Sequence, residues 1–366
     1  MKILFLTTHL NTGGITSYVL TLARGLKKKG HDVYVASSAG DCLYKFEESG
    51  INFFRIPIKT KAEINPKIFI SYLKLLGFIK REGIQIVHSN TRVTQVLGCL
   101  LSNSCGVAHV STCHGFFKRR LTRMMFPCWP DTVVAISQQV REHLINDLGV
   151  DESKITVIHN GIDVDSFSAP AKGQEKQRKQ ELGLKQGPVV GIVARLSDVK
   201  GHIYLIQAMK NVLNKFSDAS LLIVGEGKMQ GKLIILSRQL GIEKNIIFIA
   251  SASDTRVVLA AMDVFVMPSV HEGLGLALME AMAFGLPVIG SNVGGIKSLI
   301  QDGYNGILVE PRDVNALSSA IERMLSDMKA AQVMGNNARE FIKNNFDQEE
   351  MILNTERGYF KCLKKG

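Results

Sequence analysis

The stretch Pro268–Gly285, PSVHEGLGLALMEAMAFG, joins the end of an apolar strand to the beginning of a helix. The residues just before it, DVFVM, form an apolar run that predicts a buried strand, and LALMEAMAFG predicts the helix. Between them, Gly273, Leu274 and Gly275 present backbone N–H groups at a helix N-terminus, where anions and sugar hydroxyl oxygens bind. This order of elements predicts one unit of a parallel sheet with a ligand at the carboxyl ends of its strands.

The same alternation of strands and helices continues outward in both directions. Seven β-rich runs precede the polar, lysine-rich segment 169–186, and six follow it, with helix-period segments between several of them. Continuous apolar strands separated by helices indicate a parallel sheet that is covered on both faces. We therefore predict two Rossmann-like, doubly wound α/β domains facing a central cleft, residues 1–168 and residues 169–346. A chain of 366 residues is long enough for two such domains.

Charge is distributed unevenly between the two predicted domains. Residues 1–150 hold 19 Lys and Arg against 9 Asp and Glu, so this part carries +10 of the total net charge of +11. One domain is therefore expected to face an anionic partner. The six cysteines show neither C-x-x-C pairs nor metal-ligand spacing, which favours a reduced, cytoplasmic protein. No run approaches the ~18 apolar residues of a membrane span.

Two glutamates and two cations stand out in the second domain. Glu272 and Glu280 are eight residues apart, about 12 Å along a helix, which exceeds the separation of ~5–9.5 Å between paired glycosidase carboxylates. We infer that they act separately. Arg195 and Lys200 follow the first strand of this domain, the usual phosphate position, and two fixed cations can stabilise a leaving diphosphate without a metal. Solvated surface charges are the alternative for each of the four.

The spacing E-x7-E across a glycine-rich helix start resembles the retaining glycosyltransferases of family 4, which have the GT-B fold. The resemblance extends over nearly the whole chain, and by it the final segment, about 347–366, returns to the first domain. The matching segments, in chain order, are Gly13-Gly14, His114-Gly115, VIHNGID (Val157–Asp163), ARLSDVKG (Ala194–Gly201), LLIVGEG (Leu221–Gly227), Gly294-Gly295 and DGYNGILVEPRD (Asp302–Asp313).

The resemblance implies roles in binding a nucleotide-sugar donor. Arg195 and Lys200 bind the diphosphate, and Glu280 binds the ribose hydroxyls. Glu272, with the amides of Gly273, Leu274 and Gly275, holds the donor sugar.

The resemblance also covers the first domain and the region of the nucleotide base. It implies that His114 contacts the donor sugar near the reaction centre and that the Gly13-Gly14 loop approaches the diphosphate and the acceptor. A structural histidine and a tight turn are the alternatives from the residues alone. Ala250 stands where the family commonly has a glycine beside the nucleotide base, so base recognition by Ala250 and Ser251 departs from the family pattern. Ser298 is a second departure, because an acidic residue is common at this position.

Neither a metal nor another cofactor is expected. Asp163-Val164-Asp165 spells the D-x-D metal motif of a different glycosyltransferase fold, but it follows VIHN in the linker. We interpret it as turn and cap chemistry.

The basic excess of the first domain has a candidate location in Phe116–Trp129, FFKRRLTRMMFPCW. Cations mixed with aromatic residues suit anionic lipid headgroups, and a solvated loop with a few core anchors is the alternative. We predict peripheral contact with the cytoplasmic face of a membrane. Nucleic acid is not expected, because no recognition motif accompanies the charge. The predicted contact residues are Lys118, Arg119, Arg120 and Arg123.

By the resemblance, the chain transfers a hexose-type sugar from a UDP- or GDP-linked donor to a glycan or lipid-linked acceptor. The expected setting is the synthesis of cell-envelope polysaccharide or lipopolysaccharide. Two alternatives remain at this point: a GT-B nucleotide-sugar epimerase and a non-catalytic subunit that binds nucleotide sugars.

Overall fold

The chain forms two compact units, and each has its own parallel sheet. A computed structural model describes residues 1–117, 123, 126–167, 174–252 and 254–365. The first unit comprises Met1–Gly161 and the segment that begins at Gln348, and the second comprises Ile162–Asp347.

The first unit contains a seven-stranded sheet in the order β3-β2-β1-β4-β5-β6-β7, and every neighbouring pair is parallel. The strands are β1 (Lys2–Leu6), β2 (Asp32–Ser37), β3 (Asn52–Arg55), β4 (Ile86–Ser89), β5 (Ala108–Cys113), β6 (Thr132–Ala135) and β7 (Ile155–Val157). The helices are α1 (Gly14–Lys28), α2 (Leu43–Glu48), α3 (Pro66–Glu82), α4 (Arg92–Cys105), α5 (Gln138–Asn146) and, after the second unit, α14 (Gln348–Lys365).

Strand β1 shows why the sequence forms a sheet that is covered on both sides. Ile3 and Phe5 belong to one hydrophobic cluster, with residues of α1 and α14, whereas Leu4 and Leu6 belong to another, with residues of α3 and α4. Alternate side chains of a strand point to opposite faces, so an uninterrupted apolar strand needs a helical layer on each side.

The second unit contains a six-stranded parallel sheet in the order β10-β9-β8-β11-β12-β13. The strands are β8 (Val189–Val193), β9 (Ser220–Val224), β10 (Ile246–Ile249), β11 (Val264–Met267), β12 (Val288–Ser291) and β13 (Ile307–Val309). The helices are α6 (Gln174–Glu181), α7 (His202–Lys215), α8 (Gln230–Gln239), α9 (Thr255–Leu259), α10 (Leu276–Phe284), α11 (Ile296–Leu299), α12 (Val314–Ser326) and α13 (Met328–Asn345). The predicted fold class, two doubly wound α/β domains, is confirmed.

The connection between the units differs from the predicted boundary at 168/169. The short helical turn Val164–Phe167 belongs to the second unit, because Arg339 donates hydrogen bonds to the carbonyl oxygens of Val164 (3.2 Å) and Phe167 (2.8 Å). Asp163 accepts a bond from the backbone N–H of Ser166 at 3.2 Å, and its carbonyl accepts one from the Ser166 hydroxyl at 2.7 Å. This confirms turn and cap chemistry for Asp163.

Helix α14 packs in the first unit, with Tyr359 fully buried. Its Glu356 pairs with His31 (2.7 Å) and Lys29 (3.4 Å), which fixes the helix beside the end of α1. None of the helices in the described part of the chain combines the length and the apolar character that crossing a bilayer requires.

Candidate functional site

In the second unit, the loops after β8 and β11 are held together by a close backbone approach. Gly201 has φ +73°, and a Cβ atom at this position would lie 1.8 Å from the carbonyl oxygen of Pro268. The backbone N–H of Val270 donates to the carbonyl oxygen of Val199 at 2.8 Å, which closes the contact. A glycine is therefore required at position 201, between Lys200 and the first residue of α7.

This approach places Lys200 against Glu272. The ammonium group of Lys200 forms an ion pair with Glu272 Oε2, and the two side chains are 20% and 12% exposed. The hydroxyl of the buried Ser269 lies 3.4 Å from the same oxygen. The pair is therefore accessible to a ligand. Because it is largely shielded from water, its electrostatic interactions are stronger than those of fully exposed charges.

Arg195 follows β8 by two residues and is exposed. The structure records no ion pair for it within the described ranges. Its guanidinium is therefore available for an anion at the same edge of the sheet, as the phosphate-loop prediction requires.

The turn that follows Glu272 presents the uncapped N-terminus of α10. Gly275 is the N-cap residue with φ 100°, and no side chain caps this helix end. A Cβ atom at Gly295 would lie 2.4 Å from the carbonyl oxygen of Gly273, and the N–H of Gly295 donates to the carbonyl oxygen of Glu272 at 3.1 Å. The Gly294-Gly295 motif thus packs against the backbone of this turn. The first amides of α10 remain uncapped by side chains and can bind a ligand.

Glu280 lies within α10, eight positions after Glu272. Burial raises the pKa of its carboxyl group from 4.5 to about 7, a hydrogen bond with the Thr255 side chain opposes this shift, and the charge of Asp254 adds to it. A partly desolvated carboxylate of this kind binds hydroxyl groups well once it is ionised.

Ala250 and Ser251 lie exposed immediately after β10. Nothing in their surroundings defines a base pocket within the described residues, so their role in base recognition stays a prediction.

In the first unit, His114 follows β5 and is oriented by Asn90. The Asn90 amide group donates to the carbonyl oxygens of Leu6 (3.4 Å) and His88 (3.2 Å), so its oxygen faces His114 Nε2 at 3.3 Å. This arrangement places the proton on Nε2 and leaves Nδ1 as an acceptor. Burial lowers the pKa of His114 to about 3, so the ring is neutral at pH 7.

A buried polar network supports this histidine and reaches the C-terminal helix. His88 contacts the Tyr359 hydroxyl (2.5 Å) and the Thr112 hydroxyl (2.7 Å), and Thr112 contacts the Tyr18 hydroxyl (3.2 Å). The Tyr18 ring stands edge-on to His114 with a centroid distance of 4.6 Å. His114 is therefore a rigid, neutral hydrogen-bonding group rather than a titrating acid.

The Gly13-Gly14 turn is exposed at the start of α1. Gly13 is the N-cap residue, and no side chain caps this helix end. Thr12 is held by two hydrogen bonds to Asp41, at 2.8 and 2.9 Å. The loop thus offers backbone N–H groups from a fixed position, although its ligand stays a prediction.

Arg123 was expected to contact lipid, and the structure contradicts this. Its side chain is 9% exposed, pairs with the buried Glu63 at 2.9 Å, and lies 5.0 Å from the centre of the Phe117 ring. Its charge is compensated inside the protein and is not presented at the surface. Lys118, Arg119 and Arg120 lie outside the described residues.

Sequence reasoning missed Asn90 and the network behind His114. Asn90 directly follows β4, in His88-Ser89-Asn90, and polar residues directly after an apolar strand often serve a site. That signal could have identified Asn90, but its orientation depends on Leu6, which is far away in the sequence.

Two family models match the chain in tandem. "Glycosyltransferase Family 4" matches residues 12–166, and "Glycosyl transferases group 1" matches residues 173–341. The chain belongs to glycosyltransferase family 4. The predicted family is confirmed by these matches, whereas the roles of its individual residues remain predictions.

Two glycosyltransferases have sequences similar to this chain over most of their length. A UDP-Gal:alpha-D-GlcNAc-diphosphoundecaprenol alpha-1,3-galactosyltransferase of Escherichia coli is 29% identical over 88% of this chain and 87% of its own length. The capsular polysaccharide biosynthesis glycosyltransferase CapM of Staphylococcus aureus is 28% identical over 98% of this chain and 97% of its own.

Among solved structures, Anabaena HepE in complex with UDP and glucose superposes with a TM-score of 0.88 at 22% identity. The match covers 99% of this chain and 100% of HepE. This likeness shows the fold, two parallel-sheet α/β domains of the GT-B type.

Replacing Asn90 with alanine tests the orientation of His114. We expect the wild-type ring to be the neutral Nε2–H tautomer, and Asn90→Ala to populate both tautomers, because the acceptor for Nε2–H is lost. Nitrogen NMR of labelled histidines, with His114 assigned by substitution, measures this. Because one hydrogen bond is lost, kcat/KM of the Asn90→Ala protein should fall about tenfold. The exposed Asn103, changed to alanine, is the control; an Nδ1–H tautomer in the wild type would contradict the assignment.

The raised pKa of Glu280 predicts a stability cost that grows with pH. Below the unfolded pKa of 4.5 both states are protonated and the cost is absent; it appears as pH rises towards about 7 and is complete above it. Glu280→Gln removes the cost, so its stability gain over the wild type should grow between pH 4.5 and pH 7, to at most about 3 kcal/mol. Thermal unfolding measures this difference, with the exposed Glu340→Gln as control. A gain independent of pH would mean that Glu280 ionises normally.

Proposed function

We propose that this chain transfers a hexose-type sugar from a UDP- or GDP-linked donor to a glycan or lipid-linked acceptor, with retention of configuration. The observation that carries the proposal is the Lys200–Glu272 pair beside the uncapped N-terminus of α10. It combines a cation and the amides of a helix N-terminus that no side chain caps, for a diphosphate, with a carboxylate that can accept hydrogen bonds from sugar hydroxyls.

Charge stabilisation of the leaving group follows from this arrangement. As the bond between the sugar C1 and the phosphate oxygen breaks, negative charge grows on the diphosphate. An arriving diphosphate competes with Glu272 for Lys200, and Arg195 adds a second cation at the same edge. Cations fixed in advance stabilise the transition state more than the ground state. We propose that they replace a metal ion in this role.

Glu272 and Glu280 then have different tasks. Glu272, released from Lys200, accepts hydrogen bonds from hydroxyls of the donor sugar, and Glu280 accepts them from the ribose. Neither is proposed as a nucleophile, because the two glutamates, with seven residues between them, are too far apart for a double-displacement pair of carboxylates. In the proposed front-face substitution, C1 bonds to the acceptor oxygen while the departing phosphate oxygen takes the acceptor proton.

The class of substrate is supported by the relatives. The Escherichia coli relative is named for UDP-Gal and a diphosphoundecaprenol acceptor, and the Staphylococcus relative for capsular polysaccharide. A sugar on a lipid diphosphate, in envelope polysaccharide or lipopolysaccharide synthesis, is the acceptor we propose. All six cysteines are free, which supports a cytoplasmic location. In the first unit, His114 Nδ1 is proposed to accept a hydrogen bond from a sugar hydroxyl.

Incubation with a panel of UDP- and GDP-hexoses and a polyprenyl-diphosphate sugar tests the proposal. We expect transfer from one donor class, an α-linked product from an α-linked donor by NMR, and full activity in EDTA. Lys200→Ala should lower kcat by about 10²–10³-fold, whereas Lys210→Ala, on the exposed side of α7, should leave it unchanged.

Other outcomes separate the alternatives. An inverted product, or activity abolished by EDTA and restored by Mn²⁺, would contradict the proposed mechanism. Conversion of the donor without an acceptor would indicate an epimerase. Tight nucleotide binding with neither transfer nor donor hydrolysis would indicate a non-catalytic subunit.

A further inference from the structure

Helix α3 has an apolar outer surface in addition to the face it buries. Its inner side chains, among them Ile68, Leu75 and Phe78, are buried in the first unit. On the outer side, Phe69 is 59% exposed and Leu73 is 53% exposed. Ile70 is 46% exposed on the same side, and Ile64, just before the helix, is 71% exposed.

The exposed residues of α3 recur at helical spacing and form one stripe. Positions 66–67, 69–70, 73–74, 77 and 80–81 are exposed, and residues three or four apart lie on the same side of a helix. A helix of 17 residues is about 26 Å long, so the stripe is extended. We call these exposed positions of α3 the outer face.

The charges of the outer face have a single sign. Lys67, Lys74 and Lys80 are exposed along it, and the sequence from 64 to 81 contains no acidic residue. Glu63, the acid nearest its start, is turned inward, with its side chain 7% exposed, and pairs with Arg92 at 3.3 Å and Arg123 at 2.9 Å. At the other end, Glu82 pairs with Arg81 at 2.9 Å. The outer face is therefore apolar and basic.

We propose that the outer face of α3 docks on an anionic lipid bilayer. Apolar side chains flanked by lysines match the boundary between acyl chains and negatively charged headgroups. A second copy of this chain fits less well, because a two-fold interface would bring the three lysines against themselves. The inference rests on the proposed lipid-linked acceptor for its purpose, but the binding is measured independently of transfer.

This surface differs from the one expected from the sequence. Arg123, which belonged to the expected surface, lies inside the protein, and by pairing with Glu63 it helps to withdraw that carboxylate from the start of α3. Part of the excess positive charge of residues 1–150 is thus exposed on α3.

Vesicle co-sedimentation of the full chain tests the proposal, with phosphatidylglycerol-containing and pure phosphatidylcholine vesicles at low and high salt. We expect binding to the anionic vesicles that weakens with salt. Neutralising one lysine near the membrane surface should weaken vesicle binding about fivefold. The combined variant Lys67→Gln, Lys74→Gln and Lys80→Gln should therefore weaken it on the order of 100-fold. A second variant, Phe69→Ser with Leu73→Ser, should also weaken it. Ile235→Ser with Val333→Ser, at exposed sites of the second unit, is the control.

Equal binding of both α3 variants and the wild type, equal binding to neutral and anionic vesicles, or no binding to either would overturn the proposal. So would a dimer in sedimentation analysis that the α3 variants abolish. Transfer to a short-chain, water-soluble acceptor should be unchanged in the α3 variants. If transfer fails in every protein while vesicle binding keeps its α3 dependence, the proposed function is wrong and the membrane inference stands.

Discussion

The candidate donor site depends on the approach of two backbone segments at Gly201 and Pro268. Any side chain at position 201 would collide with the Pro268 carbonyl oxygen, and the left-handed φ of +73° also favours glycine. Because the loops after β8 and β11 can come this close, Lys200 meets Glu272 across 72 residues of sequence. The glycine pair at 294–295 supports the same turn from its other side. The chemistry of this site thus depends on backbone packing that leaves no room for Cβ atoms.

Parallel-sheet topology explains why so much could be predicted from the sequence. The apolar runs before Arg195 and before Glu272 were recognisable as strands, and parallel strands place their carboxyl ends at one edge. That rule places the loops after β8 and β11, and hence Lys200 and Glu272, at one edge of the sheet, whereas the pairing of β8 with β11 is known from the structure. The glycine-rich helix start at 273–275 was recognisable for the same reason.

What could not be predicted depends on partners that are distant in the sequence. Arg123 has a basic and aromatic local context that suits a membrane, but Glu63, 60 residues earlier, draws it inside. The orientation of Asn90 is set by the carbonyl oxygen of Leu6, 84 residues away. The outer face of α3 could not be predicted, because the sequence alone does not distinguish its exposed apolar residues from those that face the core. In each case, the local sequence indicates the chemical character of the segment but not the direction in which the side chain points.

Calorimetric titration of UDP into Gly201→Ala most directly tests whether this backbone approach creates the donor site. With the fold intact by circular dichroism, we expect at least about tenfold weaker binding, because the added methyl group moves Lys200 away from the N-terminus of α10, so that the cation and the helix amides no longer meet the same diphosphate. A tenfold change is about 1.4 kcal/mol. Gly231→Ala, where no described atom beyond the neighbouring residues and the backbone of its own helix lies within 4 Å of the new methyl group, should bind UDP as the wild type does. Unchanged UDP affinity in a folded Gly201→Ala protein would contradict the account.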